Sequence, residues 1–511
     1  MYNIARVCRV GCRVFFRKII SHHAQPQAGR GFVPSMKPFS IFLLATFSLI
    51  LLACQSEPAR TYDPTKLLAL KHALVPVRSL DSADENFADL QPLKTKWQSA
   101  RIILLGEATH GDGASFAAKA RLIKFLHHEM GFEVLAFESG LYDCEKAWSL
   151  MQRGTPAAEA ARQSLFGVWA ESKQVQPVFE YLDAVRTSAR PLQFTGFDLQ
   201  FSGKLARDSL LVDFENFLRA AKIDTASWLT VRATLDTLFR YNSRFRKMPT
   251  QRQEEFYAAS QRLREAIAAS RLNHTPLPPS RGEYPQRARA NSPLEEGQGS
   301  VLADHASTSL FNKNSQQRTQ YWLQLLQSTE TLLRFLWNAN FDKPDPKIFN
   351  LRDQQMGENL LWLARERFAG KKIIVWAATS HSSRNRQNIR AYQRDEIPDP
   401  GMIPMGDYVW QALGEQAYVL AFVAHHGRVA VRGRSPWDIA PPRAESLEDW
   451  LGHTDHDYAI LDWRSLPHDA QWLADTLLAR PMGFTPMRAR WPEIMDGVMF
   501  IREMQPSLAI E

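Results

Sequence analysis

The sequence predicts an α/β fold with a largely parallel central sheet flanked by helices and an inserted helical subdomain. Three observations carry this reading. Seven short apolar runs rich in strand-forming residues recur along the chain, and longer stretches with helical spacing separate them. Between about residues 204 and 345 the strand signal vanishes while the helical pattern persists.

Length and charge set the outer bounds. A chain of 511 residues with 45% hydrophobic and 23% charged content can bury a sizeable core. Its formal charge of +8 is uneven: residues 1–53 hold seven Lys and Arg and no acid, which leaves 55 basic against 54 acidic residues beyond them. The body is close to neutral, so composition gives no reason to expect a nucleic-acid partner.

The segment "MKPFSIFLLATFSLILLACQS" accounts for part of that N-terminal bias. Lys37 forms a short basic region, Phe39 to Leu52 an apolar one, and "LLAC" closes it. This resembles a bacterial lipoprotein signal, and the resemblance implies cleavage before Cys54 and lipidation of its thiol. Gln55 after the cysteine implies the outer membrane of a bacterial cell envelope. A short transmembrane anchor is the competing reading, but the run falls below the ~20 residues a spanning helix needs. Because 35 residues precede the segment, Met36 is the expected start, and Cys8 and Cys12 then lie upstream of the mature protein. Cys54 and Cys144 remain, one of them lipidated, so no intramolecular disulfide is expected. Residues 54–65 form the tether.

The predicted strands are "RIILLGE" (101–107), "EVLAFES" (133–139), "LQFTGFD" (192–198), "KIIVWAA" (372–378), "AYVLAFVA" (417–424), "YAILDW" (458–463) and "GVMFI" (497–501). Between the first two, Phe116, Ala120, Ile123 and Leu126 or His127 recur at helical spacing up to Gly131, which completes a βαβ unit. The α/β domain therefore comprises 66–203 and 346–507. The helical insertion, 204–345, contains "RQEEFYAASQRLREAIAASRL" and "QYWLQLLQSTETLLRFLW", in which Trp322 and Trp337 read as core. Within it, residues 273–308 are rich in Pro, Ser, Gly and charge without apolar period and read as a disordered linker.

In open α/β sheets ligands bind beyond the carboxyl ends of the strands. Strand one is followed by Glu107 and His110, strand two by Glu138, strand three by Asp198, strand four by His381, and strand five by His425 and His426. Singly, each reads as a helix cap, an ion-pair partner or a solvated loop residue. Jointly they point to one cleft in which an imidazole takes a proton from water and a carboxylate orients it, which is hydrolytic chemistry. The chain has no G-x-S-x-G elbow, H-E-x-x-H, Walker loop or G-x-G-x-x-G. Ser139 lacks that elbow and reads as structural. "HHEMG" (127–131) ends a helix away from the strand-end loops, and "GHTDHDYAI", with His453 and His456, precedes its strand and is expected at the opposite edge of the sheet.

"ILLGEATHG" followed by "KARLIKFLHHEMGFEVLAFESG" is similar to the N-terminal signature of the erythromycin esterase family. The likeness continues in "FTGFDLQ", "NLRDQQMGENLLWL" (350–363), "KKIIVWAATSH", "PMGDYVW" and "MDGVMFIREMQPS". It implies a hydrolase that opens macrolide lactones, and so antibiotic resistance, by metal-independent attack of water with no cofactor. By position it implies His110 as general base paired with Glu107, Glu138 as the carboxylate ending strand two, and His381 as the second histidine of a W-A-H-N-x-H motif. Two positions depart from the family pattern. Lys119, with Arg121 nearby, stands where the family has an arginine, and Ala378 and Thr379 stand where it has a histidine and an asparagine; His425 or His426 could substitute. The small-molecule substrate is then an ester or lactone. Two alternatives stay open: Glu107, His110, Glu138 and His381 holding a divalent cation that activates water, and a binding lipoprotein that keeps the cleft without turnover. Replacing the acylation site, Cys54→Ser, is expected to abolish metabolic labelling with radioactive palmitate and to release the protein from the membrane fraction; a labelled, membrane-bound variant overturns the lipoprotein reading.

Overall fold

The computed structural model describes residues 62–240, 248–272, 315–393 and 396–510. The expected lipidation site at Cys54 and the expected linker at 273–308 lie outside the described residues. All seven expected strands form. They are β2 (Ile102–Glu107), β3 (Phe132–Gly140), β4 (Gln193–Asp198), β5 (Lys372–Ala378), β6 (Ala417–Val429), β8 (Tyr458–Asp462) and β9 (Gly497–Met504). Two short strands that sequence reasoning missed, β1 (Leu74–Pro76) and β7 (Trp437–Asp438), complete a nine-stranded sheet.

The order is β1-β8-β9-β6-β2-β5-β3-β4, with β7 paired to the end of β6. From β9 to β4 every neighbouring pair is parallel. Such strands are covered on both faces, which explains why β2 and β5 read as unbroken apolar runs rather than alternating ones. The chain leaves β2 for β3 and β4, then returns through β5 to β6, so the two directions of winding meet at β5. A reversal of this kind opens a crevice at the carboxyl edge. It also places the end of β5 between those of β2 and β3.

Helix α1 (Gly113–Met130) crosses from β2 to β3 with Phe116, Ala120, Ile123 and Leu126 buried, and Gly131 ends it in the left-handed conformation at φ 73°. Beneath the crevice Phe137 of β3 stacks on Trp376 of β5 at 5.2 Å, and Phe116 of α1 meets the same indole at 5.5 Å. Pairs of this kind contribute roughly 0.5–1.5 kcal/mol each beyond their buried area, and here they lock two central strands to the helix that bears Lys119.

Helix α2 (Leu141–Gln152) packs on β4. The inserted region is helical: α3 (Leu211–Ala220), α4 (Ala226–Arg240), α5 (Thr250–Leu272) and α6 (Ser315–Asn338). Helix α4 packs on α5, α5 on α6, and α6 on α7 (Pro346–Trp362), which returns the chain to the sheet against β4. Trp322 is buried against Phe214 and Phe217, and Trp337 packs on Phe256 and Tyr257. No helix among the described residues is long and apolar enough to cross a membrane.

Two expectations of position are corrected. Strand β6 does not stop at Ala424: its pairing continues with β9 through His426↔Glu503 and Gly427↔Met504, and with β7 through Arg428↔Asp438. His425 and His426 therefore sit inside a strand rather than in a loop after it. Strand β8 runs antiparallel to β9, with Tyr458 opposite Ile501. Its preceding segment, with His453 and His456, consequently lies at the carboxyl edge and not at the opposite one, though four strands away from β5.

The loop 107–113 is wedged against backbone on two sides. A Cβ on Gly111 would come within 2.6 Å of the Ala430 carbonyl carbon, and one on Gly113 within 2.6 Å of that of Pro506. The hydrogen bonds Ser507 N–H to Gly111 O and Ala430 N–H to Gly111 O explain this close approach. Gly111→Ala is expected to destabilise the protein by about 1–3 kcal/mol, measured by urea unfolding; an unchanged midpoint would show that the loop shifts at no cost.

Candidate active site

Glu107 ends β2 with no exposed surface. Its Oε2 pairs with Lys119 Nζ, and its Oε1 accepts from Trp169 Nε1 at 2.9 Å and lies 3.1 Å from His110 Nδ1. Lys119 is equally buried, donates also to Ala377 O at 3.3 Å, and sits 4.6 Å from the Trp376 ring. An isolated buried carboxylate is costly, so each of these donors is required by the others. Burial pushes the Lys119 ammonium below its usual pKa, although the Glu107 charge opposes it.

His110 is the exposed member, with 39% of its side chain open. Trp169 holds its ring edge-on at 5.2 Å. Burial disfavours the imidazolium, but the bond to Glu107 and the charges of Glu138 and Glu107 outweigh it, and the pKa lies above the ordinary 6.5. In the neutral ring Nδ1–H donates to Glu107, which leaves Nε2 as the free base.

Glu138 stands near the end of β3, 2% exposed. Its Oε2 accepts from the Ala378 N–H at 2.9 Å, and its Oε1 accepts from Arg352 Nη2 at 3.1 Å. Burial favours the neutral acid, but His381, Arg352, His110 and the Ala378 amide together lower its pKa to about 2. Arg352 also donates from Nη2 to Asp198 Oδ2 at 2.7 Å, tying the end of β4 to that of β3. Its own pKa is raised, burial being overcome by the Asp198 and Glu138 charges.

His381 lies in α8 (Thr379–Ser382), the turn that follows β5. Its Nδ1 is 2.7 Å from Asp353 Oδ1, and its Nε2 is 3.0 Å from Arg352 Nη1 and 3.4 Å from Glu138 Oε1. The neutral ring with Nδ1–H donating to Asp353 accepts from Arg352. In the protonated ring the charge lies beside Glu138, whose Oε1 is 3.4 Å from Nε2. Burial opposes the charged form, but Asp353 and Glu138 raise the pKa above 6.5.

The structure thus brings together Glu107, His110, Lys119, Glu138, Asp198 and His381. It does not bring in the other candidates. Arg121, two positions from Lys119 and so on the far side of α1, is buried and donates to both carboxylate oxygens of Asp89 at 2.8 Å and to the carbonyls of Ser79 and Asp84. His425 packs over Gly452, and its carbonyl accepts from Arg480. His426 is exposed, and among the described residues neither histidine bonds to any of the six. The donors proposed as metal ligands are also committed: Glu107 to Lys119 and Trp169, Glu138 to Arg352 and a backbone amide, and both His381 nitrogens to Asp353 and Arg352. Among the described residues no group of three or more His, Cys, Asp or Glu is arranged to hold a metal ion.

The erythromycin esterase family model matches residues 127–504, about three quarters of the chain. The chain belongs to the erythromycin esterase family. It is 26% identical over 439 residues to a Bacillus subtilis (strain 168) protein named "Putative hydrolase YbfO", covering 84% of this chain and 90% of that one. Solved structures share its fold. A succinoglycan biosynthesis protein superposes with a TM-score of 0.63 at 19% identity, covering 89% of this chain and all of the other. An erythromycin esterase, EreC, carrying a histidine-to-asparagine mutation and in its open conformation, gives 0.58 at 17% identity over 86% of this chain and 99% of that one.

Sequence reasoning missed Arg352, Asp353 and Trp169. The first two lie in the family-matching stretch "NLRDQQMGENLLWL", and a charged pair in the first turns of a helix that returns to the sheet is the one signal that could have found them. Nuclear magnetic resonance titration of the two ring systems is expected to give pKa values above 6.5 for His110 and His381, both falling in Glu138→Gln, because each imidazolium then loses an attractive charge. A Glu138→Gln titration that overlays on the wild type would remove Glu138 from the electrostatics of the site.

Proposed function

We propose that this member of the erythromycin esterase family is a hydrolase that cleaves a carboxylic ester or lactone with water activated by His110. The observation that carries the reading is the Glu107–His110 pair: a fully buried carboxylate, itself held by Lys119, engages Nδ1 of a partly exposed imidazole and so leaves Nε2 as the basic nitrogen. Relatedness to a protein named as a hydrolase supports the same reading.

In this mechanism Nε2 takes a proton as the water oxygen bonds to the substrate carbonyl carbon. The imidazolium formed is stabilised by Glu107 and by the Glu138 charge. The developing oxyanion meets the positive charge of Arg352, whose guanidinium is held by Asp198, Glu138 and His381 before the reaction begins and needs little rearrangement. Collapse breaks the carbon–oxygen bond to the alcohol, which recovers the proton from His110. The residues supply base, orienting acid and cationic wall without a metal, in keeping with the committed state of the carboxylates.

Cys54 lies outside the described residues, and the lipid-anchored, envelope-facing location remains part of this proposal on the strength of the leader sequence alone.

The test is a panel of simple esters and lactones, with erythromycin among them, assayed by mass-spectrometric detection of added water. His110→Ala is expected to lower kcat/KM by roughly 10²–10⁴-fold. In the wild type kcat/KM is expected to rise with pH through an apparent pKa above 6.5, the neutral form of a histidine with a raised pKa being the active one. Equal background rates in wild type and His110→Ala would instead favour a binding protein.

A further inference from the structure

Beside His381 the protein carries a cavity of about 310 Å³ whose apolar lining the chemistry above does not use. It is lined by Arg352, Asp353 and His381, by Phe335 from the end of α6, Phe341 from the following loop and Phe349 from α7, and by Met402 and Ile403. The three phenylalanines form a triad of perpendicular contacts at 5.4–6.2 Å between ring centres. We infer that this cavity is the subsite for a neutral, apolar group of the substrate, an aryl group of one or two fused rings, joined to the ester that His110 attacks.

Three observations converge on that chemistry. Each charged group lining the cavity is already paired: Arg352 with Glu138 and Asp198, Arg386 with Asp399, and His381 with Asp353. An anionic or cationic substituent therefore gains no unpaired partner. Second, Phe341 and Ile403 are 55% and 42% exposed, two of the few large apolar side chains left open among the described residues, and both flank this one cavity. Exposed apolar groups gathered at a concave site mark ligand contacts more often than scattered ones do. Third, the volume corresponds to about ten waters at ~30 Å³ each, at the lower end for small-molecule pockets. It suits a naphthyl-sized group and not a macrocycle with its sugars.

The inference rests on the hydrolase reading for the ester but not for the apolar group, so binding and turnover are measured separately on the full protein. Calorimetric titration with 2-naphthol is expected to show one saturable site, weakened roughly tenfold or more in Phe341→Ser and in Phe349→Ala. Phe341 is already largely exposed, so its replacement keeps the fold, and circular dichroism checks this. In the same variants kcat/KM for 2-naphthyl acetate or methyl 2-naphthoate is expected to fall by a similar factor, while that for methyl acetate stays at the wild-type value. Absence of saturable 2-naphthol binding, or equal affinity in all three proteins, overturns the inference. Phenylalanine-dependent binding with no ester turned over removes the hydrolase reading and leaves the apolar subsite standing. Turnover of all the esters with an aryl preference that ignores both substitutions removes the subsite and leaves the hydrolase.

Discussion

The buried Glu107–Lys119 pair is the interaction on which the rest of the site depends. A carboxylate with no exposed surface needs a counter-charge and hydrogen-bond donors on every open lone pair, and removing one partner of such a pair typically costs about 3–5 kcal/mol. Here the counter-charge comes from α1, one donor from Trp169 and the last from His110. Lys119 can occupy that place because the Phe137, Trp376 and Phe116 layer fixes the height of α1 above β5, and its ammonium lies over the Trp376 face. The imidazole is thus oriented by a requirement of folding: the fold satisfies Glu107 only when His110 turns its Nδ1 inward.

The same constraint shapes the electrostatics of the whole crevice. Four carboxylates, Glu107, Glu138, Asp198 and Asp353, face two basic side chains, Lys119 and Arg352. The deficit of positive charge falls on the two histidines, which explains why both have raised pKa values despite burial that acts in the other direction.

Much of this was legible in the sequence, and the reason is topological. A parallel sheet sends the residue after each strand to a common edge, so reading strand ends is enough to assemble Glu107, Glu138, Asp198 and His381. The method fails where its premise fails. His425 and His426 follow an apolar run, but that run is not the end of the strand: β6 goes on pairing with β9 and β7 through polar residues, and strand alternation turns His425 toward Gly452. Likewise β8, read as one more strand of the same sense, is antiparallel, and its preceding loop changes edge. Arg121 shows a different limit, since sequence proximity to Lys119 says nothing when helical geometry separates the two by half a turn. Arg352 was hidden for the opposite reason. It comes from a helix that enters the site sideways, after an insertion of more than a hundred residues, and no strand-end rule reaches it.

The departures from the family pattern at Ala378 and Thr379 take on a structural meaning in this frame. Ala378 lies at the centre of the crevice, paired in register with Glu107 on one side and donating its amide to Glu138 on the other. An imidazole at that position would stand between the two carboxylates and add a third titrating group to a set already short of positive charge. With alanine there, the backbone N–H of this residue serves Glu138 together with Arg352. Thr379 follows so closely on β2 that a Cβ on Gly106 would meet its Oγ1 at 2.6 Å, which keeps α8 tight against the sheet and directs His381 toward Asp353 and Arg352. The change therefore removes an imidazole from the strand end and leaves His381, beside the phenylalanine-lined cavity, as the histidine that follows β5. Under the hydrolase proposal the site keeps Glu107 and His110 as its water-activating half, while Arg352, His381 and the size of what can lie next to them govern the half that meets the substrate.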